Sequence, residues 1–419
     1  MEQVHNTSQL SKEYKPFGEH LADPYPLYAR ARKEEPIFYS PDVDAWVVSQ
    51  YKDIEGILSQ PDIFSSKDTT RPTVIFAPSV FAILAQGYPQ MPIMINSDGK
   101  AHERLRELGS RALAPERLKS LGPFIRERAH SLIDAFIQDG QTDIIANFAY
   151  PLPMELILSL FNIPYGMKDQ CKQWTTDLTI LVSAPLPEDL QLKYAQSFVD
   201  FQHYVAQLVT ERRTHPHDDL ISFLATTTLP GEEPLSDAEL VHYLTGLLLA
   251  GHETSSHLFG NGLAFLLAHQ EIWKDLCAHP EYISKAVEEL LRYDAPSQGF
   301  YRTTTREVTV RDVTLPPNTI LLLLYGSANR DETKFPDADQ FQLDRKPNPH
   351  FAFGHGIHKC LGAPIVRLEG RIVLEVLTKR LPDLRLAPDQ TFEFIPALTL
   401  RGRTKLKVQW TPPAEQVHH

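Results

Sequence analysis

Apolar residues recur with helical spacing over most of the chain between Ser97 and Arg292. The longest such pattern runs from about Ser236 to Gln270 and opens Ser-Asp-Ala-Glu, so Ser236 and Glu239 form a capping box. At 1.5 Å rise per residue it predicts a helix of roughly 50 Å, long enough to cross a whole domain. A second helical pattern follows Cys360, from Leu361 to about Leu381. Between Asp23 and Gln60 the alternating runs Ile37-Phe-Tyr-Ser and Ala45-Trp-Val-Val-Ser predict a small sheet flanked by short helices. Alternation returns from Tyr301 to Leu324 around a Leu-Pro-Pro-Asn turn, and again from Leu384 to Trp410, predicting short strands. The stretch from Phe64 to Ser97 shows no steady period and reads as a long irregular loop. The fold class is mainly α with small β-sheets.

Length and composition refine this picture. A chain of 419 residues exceeds the usual single domain, but it carries no repeat, low-complexity tract or linker, so it reads as one continuous unit. No run of about eighteen apolar residues could span a bilayer. The start Met-Glu-Gln-Val-His-Asn-Thr-Ser lacks a secretory pattern, so a cytoplasmic protein without a membrane anchor is expected. A net charge of -12 argues against nucleic acid as a partner, because phosphate neutralisation needs a basic surface. Cys171, Cys277 and Cys360 form no C-x-x-C pair; Cys171 and Cys277 fall in helical patterns and read as packing residues.

Cys360 is different. It stands in Phe353-Gly-His-Gly-Ile-His-Lys-Cys-Leu-Gly362, where Gly354 and Gly356 allow a tight turn and a helix begins just after the cysteine. A sulfur at a helix N-terminus meets unpaired N–H groups and the positive end of the dipole, which favour the thiolate, the form that ligates metals. Pro364 suits the first turn, where a missing N–H is tolerated. A zinc site from His355, His358 and Cys360 fits no common ligand spacing. His252 and His257 do not form an H-E-x-x-H pair, because five residues separate them and their directions diverge by roughly 140°.

The pattern Phe-Gly-x-Gly-x-His-x-Cys-x-Gly resembles the haem-ligand signature of the cytochrome P450 family, with Cys360 as the iron ligand and Phe353 and Gly354 in the haem-contacting loop. The resemblance covers essentially the whole chain. It implies a roughly triangular haem domain over residues 23–412 with a long central helix, an N-terminal extension 1–22 and a tail 413–419. It also implies non-covalent haem b, since no C-x-x-C-H attachment motif is present. Ala250-Gly-His-Glu-Thr254 is similar to the family's oxygen-activation motif. There Ala250 would face the haem and Gly251 would permit a local break in the helix. Thr254 would place a hydroxyl at the oxygen, and Glu253 would relay the protons that O–O cleavage consumes.

The remaining assignments also come from the resemblance. His102 and Arg106, at i and i+4, together with Arg302 and His358, would bind the haem propionates. Glu289, Arg292 and Arg345 would form a buried structural charge network. The substrate pocket would draw on Phe76, Val80, Phe81 and Leu84 of the irregular loop, on Leu249, on Gln298, Gly299 and Phe300, and on the tail from Ile395 to Leu398. Electrons would come ultimately from NAD(P)H through a ferredoxin reductase and a ferredoxin, the latter docking on Lys359, Arg104, Arg111 and Arg367. The expected activity is insertion of one oxygen atom from dioxygen into a lipophilic small molecule by a monomeric enzyme. A peroxide-driven peroxygenase or a haem-thiolate sensor are the alternatives; neither would need the Glu253-Thr254 pair.

Overall fold

The computed structural model describes residues 8–73 and 75–414; residues 1–7 and 415–419, parts of the expected extension and tail, lie outside the described residues. Short helices α1 (Gln9–Glu13), α2 (Tyr25–Glu34) and α3 (Tyr51–Leu58) precede α4 (Pro78–Leu84), α5 (Gly99–Ala112), α6 (Pro115–Lys119) and α7 (Leu121–Asp134). Then come α8 (Pro151–Phe161), α9 (Lys168–Ser183), α10 (Glu188–Thr214), α11 (Leu220–Thr226), α12 (Asp237–Ala268), α13 (Gln270–Ala278) and α14 (Ile283–Tyr293). The one-turn α15 (Tyr325–Ala328) and the long α16 (Ala363–Arg380) complete the helices.

Strands β1 (Ile37–Ser40), β2 (Ala45–Val48), β3 (Phe64–Ser65), β5 (Gly299–Thr304) and β8 (Ile320–Leu324) form one sheet, ordered β1-β2-β8-β5-β3. Strands β4 (Gln141–Asp143), β10 (Lys407–Gln409) and β9 (Arg385–Leu386) form a second, and β6 (Val308–Val310) with β7 (Val313–Leu315) a hairpin. The Leu315-Pro-Pro-Asn318 turn leads into β8, with Asn318 at φ 64°.

The 32-residue α12 begins with the anticipated capping box, Ser236 Oγ accepting from Glu239 N while a Glu239 carboxylate oxygen accepts from Ser236 N at 2.8 Å. It is buried on nearly every side, with α8 and α10 packed along it. The helix runs unbroken through Gly251, so the anticipated local break is not present. Gly251 serves close packing instead: a Cβ there would lie 2.6 Å from Ile157 Cδ1 of α8.

Two stretches are more ordered than their sequence implies. Within the supposed irregular loop, Pro78–Leu84 forms α4, because Val80 buries itself against Leu181 and Ala195 of α9 and α10. Within residues 1–22, Leu10 and Tyr14 are buried against Phe38 and Val47, so α1 is packed onto the first sheet rather than hanging free. No helix among the described residues is long and apolar enough to cross a membrane.

Candidate active site

The loop before α16 is held by a chain of directed bonds. Glu289 is 1% exposed and accepts from Arg292 Nη2 at 2.7 Å, from Arg345 Nε at 3.0 Å, from Gln342 N at 3.0 Å and from Asn348 Nδ2 at 3.1 Å. Arg292 donates further to the carbonyls of Asn329, Ala338 and Gln340. Asn329 Oδ1 in turn accepts from Phe351 N at 2.6 Å. Gly354 N then donates to Phe351 O, and Cys360 N to Phe353 O, each at 2.8 Å. Gly354 and Gly356 take φ of 65° and 67°, and a Cβ on Gly356 would sit 2.8 Å from Leu58 O. The turn that presents Cys360 therefore tolerates no ordinary side chain at Gly356.

Cys360 is accessible because it opens onto a cavity of about 290 Å³. Contrary to the expectation of a thiol favoured as thiolate by the helix start, burial raises the Cys360 pKa above the ordinary thiol value and outweighs the N–H groups of Gly362 and Ala363 and the charges of Arg106 and Arg367, which pull it down. A coordinated cation would add the attraction that ionises such a thiol. Phe353, Gly354, Ala250, Gly251, Thr254, Arg106, Arg302 and His358 line the same cavity. Thr254 Oγ1 donates back to Ala250 O at 3.2 Å. Glu253 does not line the cavity; it is 5% exposed and turned toward α9.

His102 and His358 meet at one side, ring centroids 4.2 Å apart with their planes tilted by 53°. Among the described residues the Nε2 atom of each has no hydrogen-bond partner, and both are buried. Burial, then the neighbouring Arg302 and His102 charges, push His358 down to about 3, and burial with Arg106 lowers His102. Arg302 is 4% exposed, its Nη1 donating to Thr69 Oγ1 and Tyr301 O, and Arg106 Nη1 donates to Lys359 O at 2.5 Å. Two orphaned ring nitrogens beside two guanidinium groups form a ready cradle for carboxylates.

Most of the anticipated substrate-pocket residues lie elsewhere. Phe76 and Leu84 pack around Val80 at the α4–α10 contact, and Phe81 is 55% exposed. Leu249 turns off the cavity while Leu247 and Ala250 face it. Gln298, Ile395 and Leu398 line a separate pocket of about 30 Å³ with Tyr14 and Tyr28. Gly299 packs against β8, where a Cβ would meet Leu323 O at 2.3 Å. Phe300 does line the cavity. The residues missed are Ile93, Met94 and Ile95 before α5, and Leu156, Ile157 and Leu160 of α8. The apolar run Met91-Pro-Ile-Met-Ile95, directly before the helix bearing His102, was the available signal.

A lone cysteine at a helix start, an apolar chamber in front of it and cationic or imidazole donors at its edge is the arrangement of a haem-thiolate protein. Comparison with known proteins agrees. The cytochrome P450 family model matches residues 42–394. Cytochrome P450 107B1 of Saccharopolyspora erythraea is 35% identical over 397 residues, 92% of this chain and 95% of that protein. Mycinamicin IV hydroxylase/epoxidase of Micromonospora griseorubida is 34% identical, over 88% of this chain and 90% of its own. The solved structure of cytochrome P450 CREJ in complex with (4-ethylphenyl) dihydrogen phosphate superposes with a TM-score of 0.91 at 30% identity, covering 96% of this chain and 100% of that one. The chain belongs to the cytochrome P450 family and is a haem-thiolate monooxygenase.

Proposed function

We propose that this enzyme inserts one oxygen atom from dioxygen into a neutral lipophilic small molecule, drawing electrons from NAD(P)H through a separate ferredoxin reductase and ferredoxin. The observation that carries the reading is the shared cavity: Cys360, the orphaned His358 imidazole and the Thr254 hydroxyl open onto one chamber walled mostly by aliphatic and aromatic side chains. Such a lining favours apolar ligands, because a charged group would lose its hydration without a partner.

The residues fit haem b. Cys360 would ligate the iron, His102, Arg106, Arg302 and His358 would hold the propionates, and Ala250, Phe353 and Gly354 would flank the ring. Bound there, haem supplies the redox chemistry by which dioxygen is activated. Thr254 places a hydroxyl inside the cavity, and the buried acid Glu253, its neighbour in sequence, would supply the protons that dioxygen activation consumes. That pair favours the dioxygen route over a peroxide-driven one. The mycinamicin hydroxylase and its relatives support hydroxylation or a related oxidation as the outcome.

The surface over Cys360 is less basic than its sequence suggests. Arg104 pairs with Glu239 at 2.6 Å, Arg111 with Glu107 at 2.7 Å and Arg367 with Glu288 at 2.6 Å, leaving Lys359 exposed beside them. Ferredoxin docking there relies weakly on net positive charge. The test is to compare nicotinamide-driven turnover with a ferredoxin pair and isotope-labelled dioxygen against peroxide alone, on compounds selected by their shift of the haem absorption band. Label in the product only with dioxygen and nicotinamide is expected. Equal or faster product formation from peroxide alone would overturn the reading.

A further inference from the structure

Glu253 sits next to Thr254 in sequence, yet its carboxylate leaves the cavity and meets α9. Thr179 Oγ1 donates to Glu253 Oε2 at 2.5 Å, with both residues buried. One turn earlier on the same face of α9, Thr175 Oγ1 lies 3.3 Å from His252 Nε2. That imidazole is also 3.1 Å from the Tyr150 hydroxyl, with its Nδ1 2.7 Å from Leu248 O. Two threonines at i and i+4 of α9 thus meet two consecutive residues of α12.

The two hydroxyls are used differently. Thr175 bonds back to the carbonyl of Cys171 at 3.0 Å, the usual outlet for a mid-helix threonine. Thr179 directs its hydroxyl across to the acid. Burial drives the Glu253 carboxyl up to about 7, and the Thr179 hydrogen bond opposes it. Besides Cys171 and the exposed Asp169, the titratable groups facing this seam are Tyr150, Lys172, His252 and His257. Burial holds both imidazoles near 4, so they are neutral at pH 7, and among the described residues none of the four is ion-paired with Glu253. Thr179 is the directed contact that fixes where this acid stands.

We infer that Thr179 is a positioning residue of the proton relay, holding the Glu253 carboxylate against α9 so that the seating of α9 governs proton delivery to Thr254. The inference rests on the relay reading of Glu253 and Thr254. In each cycle Glu253 gives its carboxyl proton toward the Thr254 hydroxyl and regains one from solvent, so no bond or electron is gained or lost at the pair.

The experiment uses the haem-loaded full chain with Thr179→Val, Thr179→Ala, Thr179→Ser, Glu253→Gln and the Thr179→Val/Glu253→Gln double variant. The first readout needs no turnover: infrared difference spectra of the resting protein follow the buried carboxyl band against pH, and Glu253→Gln identifies it. Loss of a hydrogen bond to a charged group should raise the titration midpoint by about one unit in Thr179→Val, an apparent tenfold change, with Ala alike and Ser near the parent. The second readout is peroxide released per nicotinamide consumed. It should rise several-fold in Thr179→Val, stay low in Thr179→Ser, and rise no further when Thr179→Val is added to Glu253→Gln. An unmoved carboxyl band, a serine variant matching valine, or an equal rise in the glutamine background would overturn the inference. If Glu253→Gln alone leaves peroxide release at the parental level, the relay reading fails, while the infrared comparison still decides whether Thr179 positions the carboxylate.

Discussion

Replacing Glu289 by alanine removes the acceptor of three donors in the loop that leads to Cys360, Gln342, Arg345 and Asn348, and leaves Arg292, 1% exposed, without its carboxylate. Breaking a buried ion pair from one side costs on the order of 3–5 kcal/mol. The lower end applies, because Arg292 keeps three carbonyl acceptors, at 2.9, 2.7 and 3.0 Å, and Arg345 keeps those of Pro336, Asp337 and Gln340. A melting entropy of about 2.1 cal/mol/K per residue, taken over 419 residues, is near 0.9 kcal/mol/K, so a loss of about 3 kcal/mol lowers the midpoint by about 3–4 °C. The larger effect falls on the cofactor, since the freed loop is the one that aims the sulfur. Thermal denaturation followed by circular dichroism measures the first quantity, and the carbon-monoxide difference spectrum per mole of protein the second. A midpoint within 1 °C of the parent together with full haem content would refute the argument that Glu289 organises the cysteine loop.

Thr254→Ala removes the hydroxyl at the cavity, so peroxide released per nicotinamide should rise several-fold while haem content holds; unchanged coupling would count against the relay. His358→Ala and Arg302→Ala each remove one charge-assisted partner of about 1.5–3 kcal/mol, so haem transfer to apomyoglobin should quicken about 10- to 100-fold. Lys359→Glu should slow reduction by ferredoxin only modestly and chiefly at low salt, since the neighbouring arginines are already paired; a large, salt-independent loss would point to a direct contact. Burial raises Glu369 to about 8, above its unfolded value, so the folded state keeps that proton longer. The stability it contributes is complete below about pH 4.5 and is lost as pH rises through 8, with a ceiling of about 5 kcal/mol. Glu369→Gln should flatten the fall of the denaturation midpoint across that window.

What the sequence made legible was the part of the molecule where backbone geometry dictates residue type. Gly354 and Gly356 are required by positive φ, Ser236 and Glu239 by an exposed helix start, and Glu289 and Arg292 by their i, i+3 spacing. The pocket was not legible for a physical reason. Phe76, Phe81 and Leu84 have the hydrophobicity of a lining, but hydrophobicity does not say which wall a side chain joins. Val80, packed against Leu181 and Ala195, turned that helix toward α10. In β5 the alternation of side chains did carry information: Phe300 and Arg302 face the cavity, while Gly299 packs on β8 and Tyr301 enters the core of the first sheet. Thr179 carried no signal at all, because its importance comes from a contact 74 residues away.

These two kinds of legibility divide the site along its chemistry. From Glu289 through Arg292 and Asn329 to Phe351 each step is a directed hydrogen bond or ion pair; Phe353, two residues further along the chain, accepts from Cys360 N, and Tyr51 stacked 4.3 Å from Phe351 reinforces the loop. A directed network accepts few residues at each point, so it leaves a strict pattern in the sequence. Apolar lining is supplied by Ile93, Met94, Leu247 and Phe300, whose contacts have no preferred direction and exchange volume for volume. Substitutions in that lining should therefore change which compounds shift the haem band while leaving haem content intact. Substitutions along the directed chain should do the reverse, lowering haem content before they alter the ranking of ligands. A variant such as Leu247→Phe that lost haem while keeping its ligand ranking would show that the lining and the directed chain are not independent.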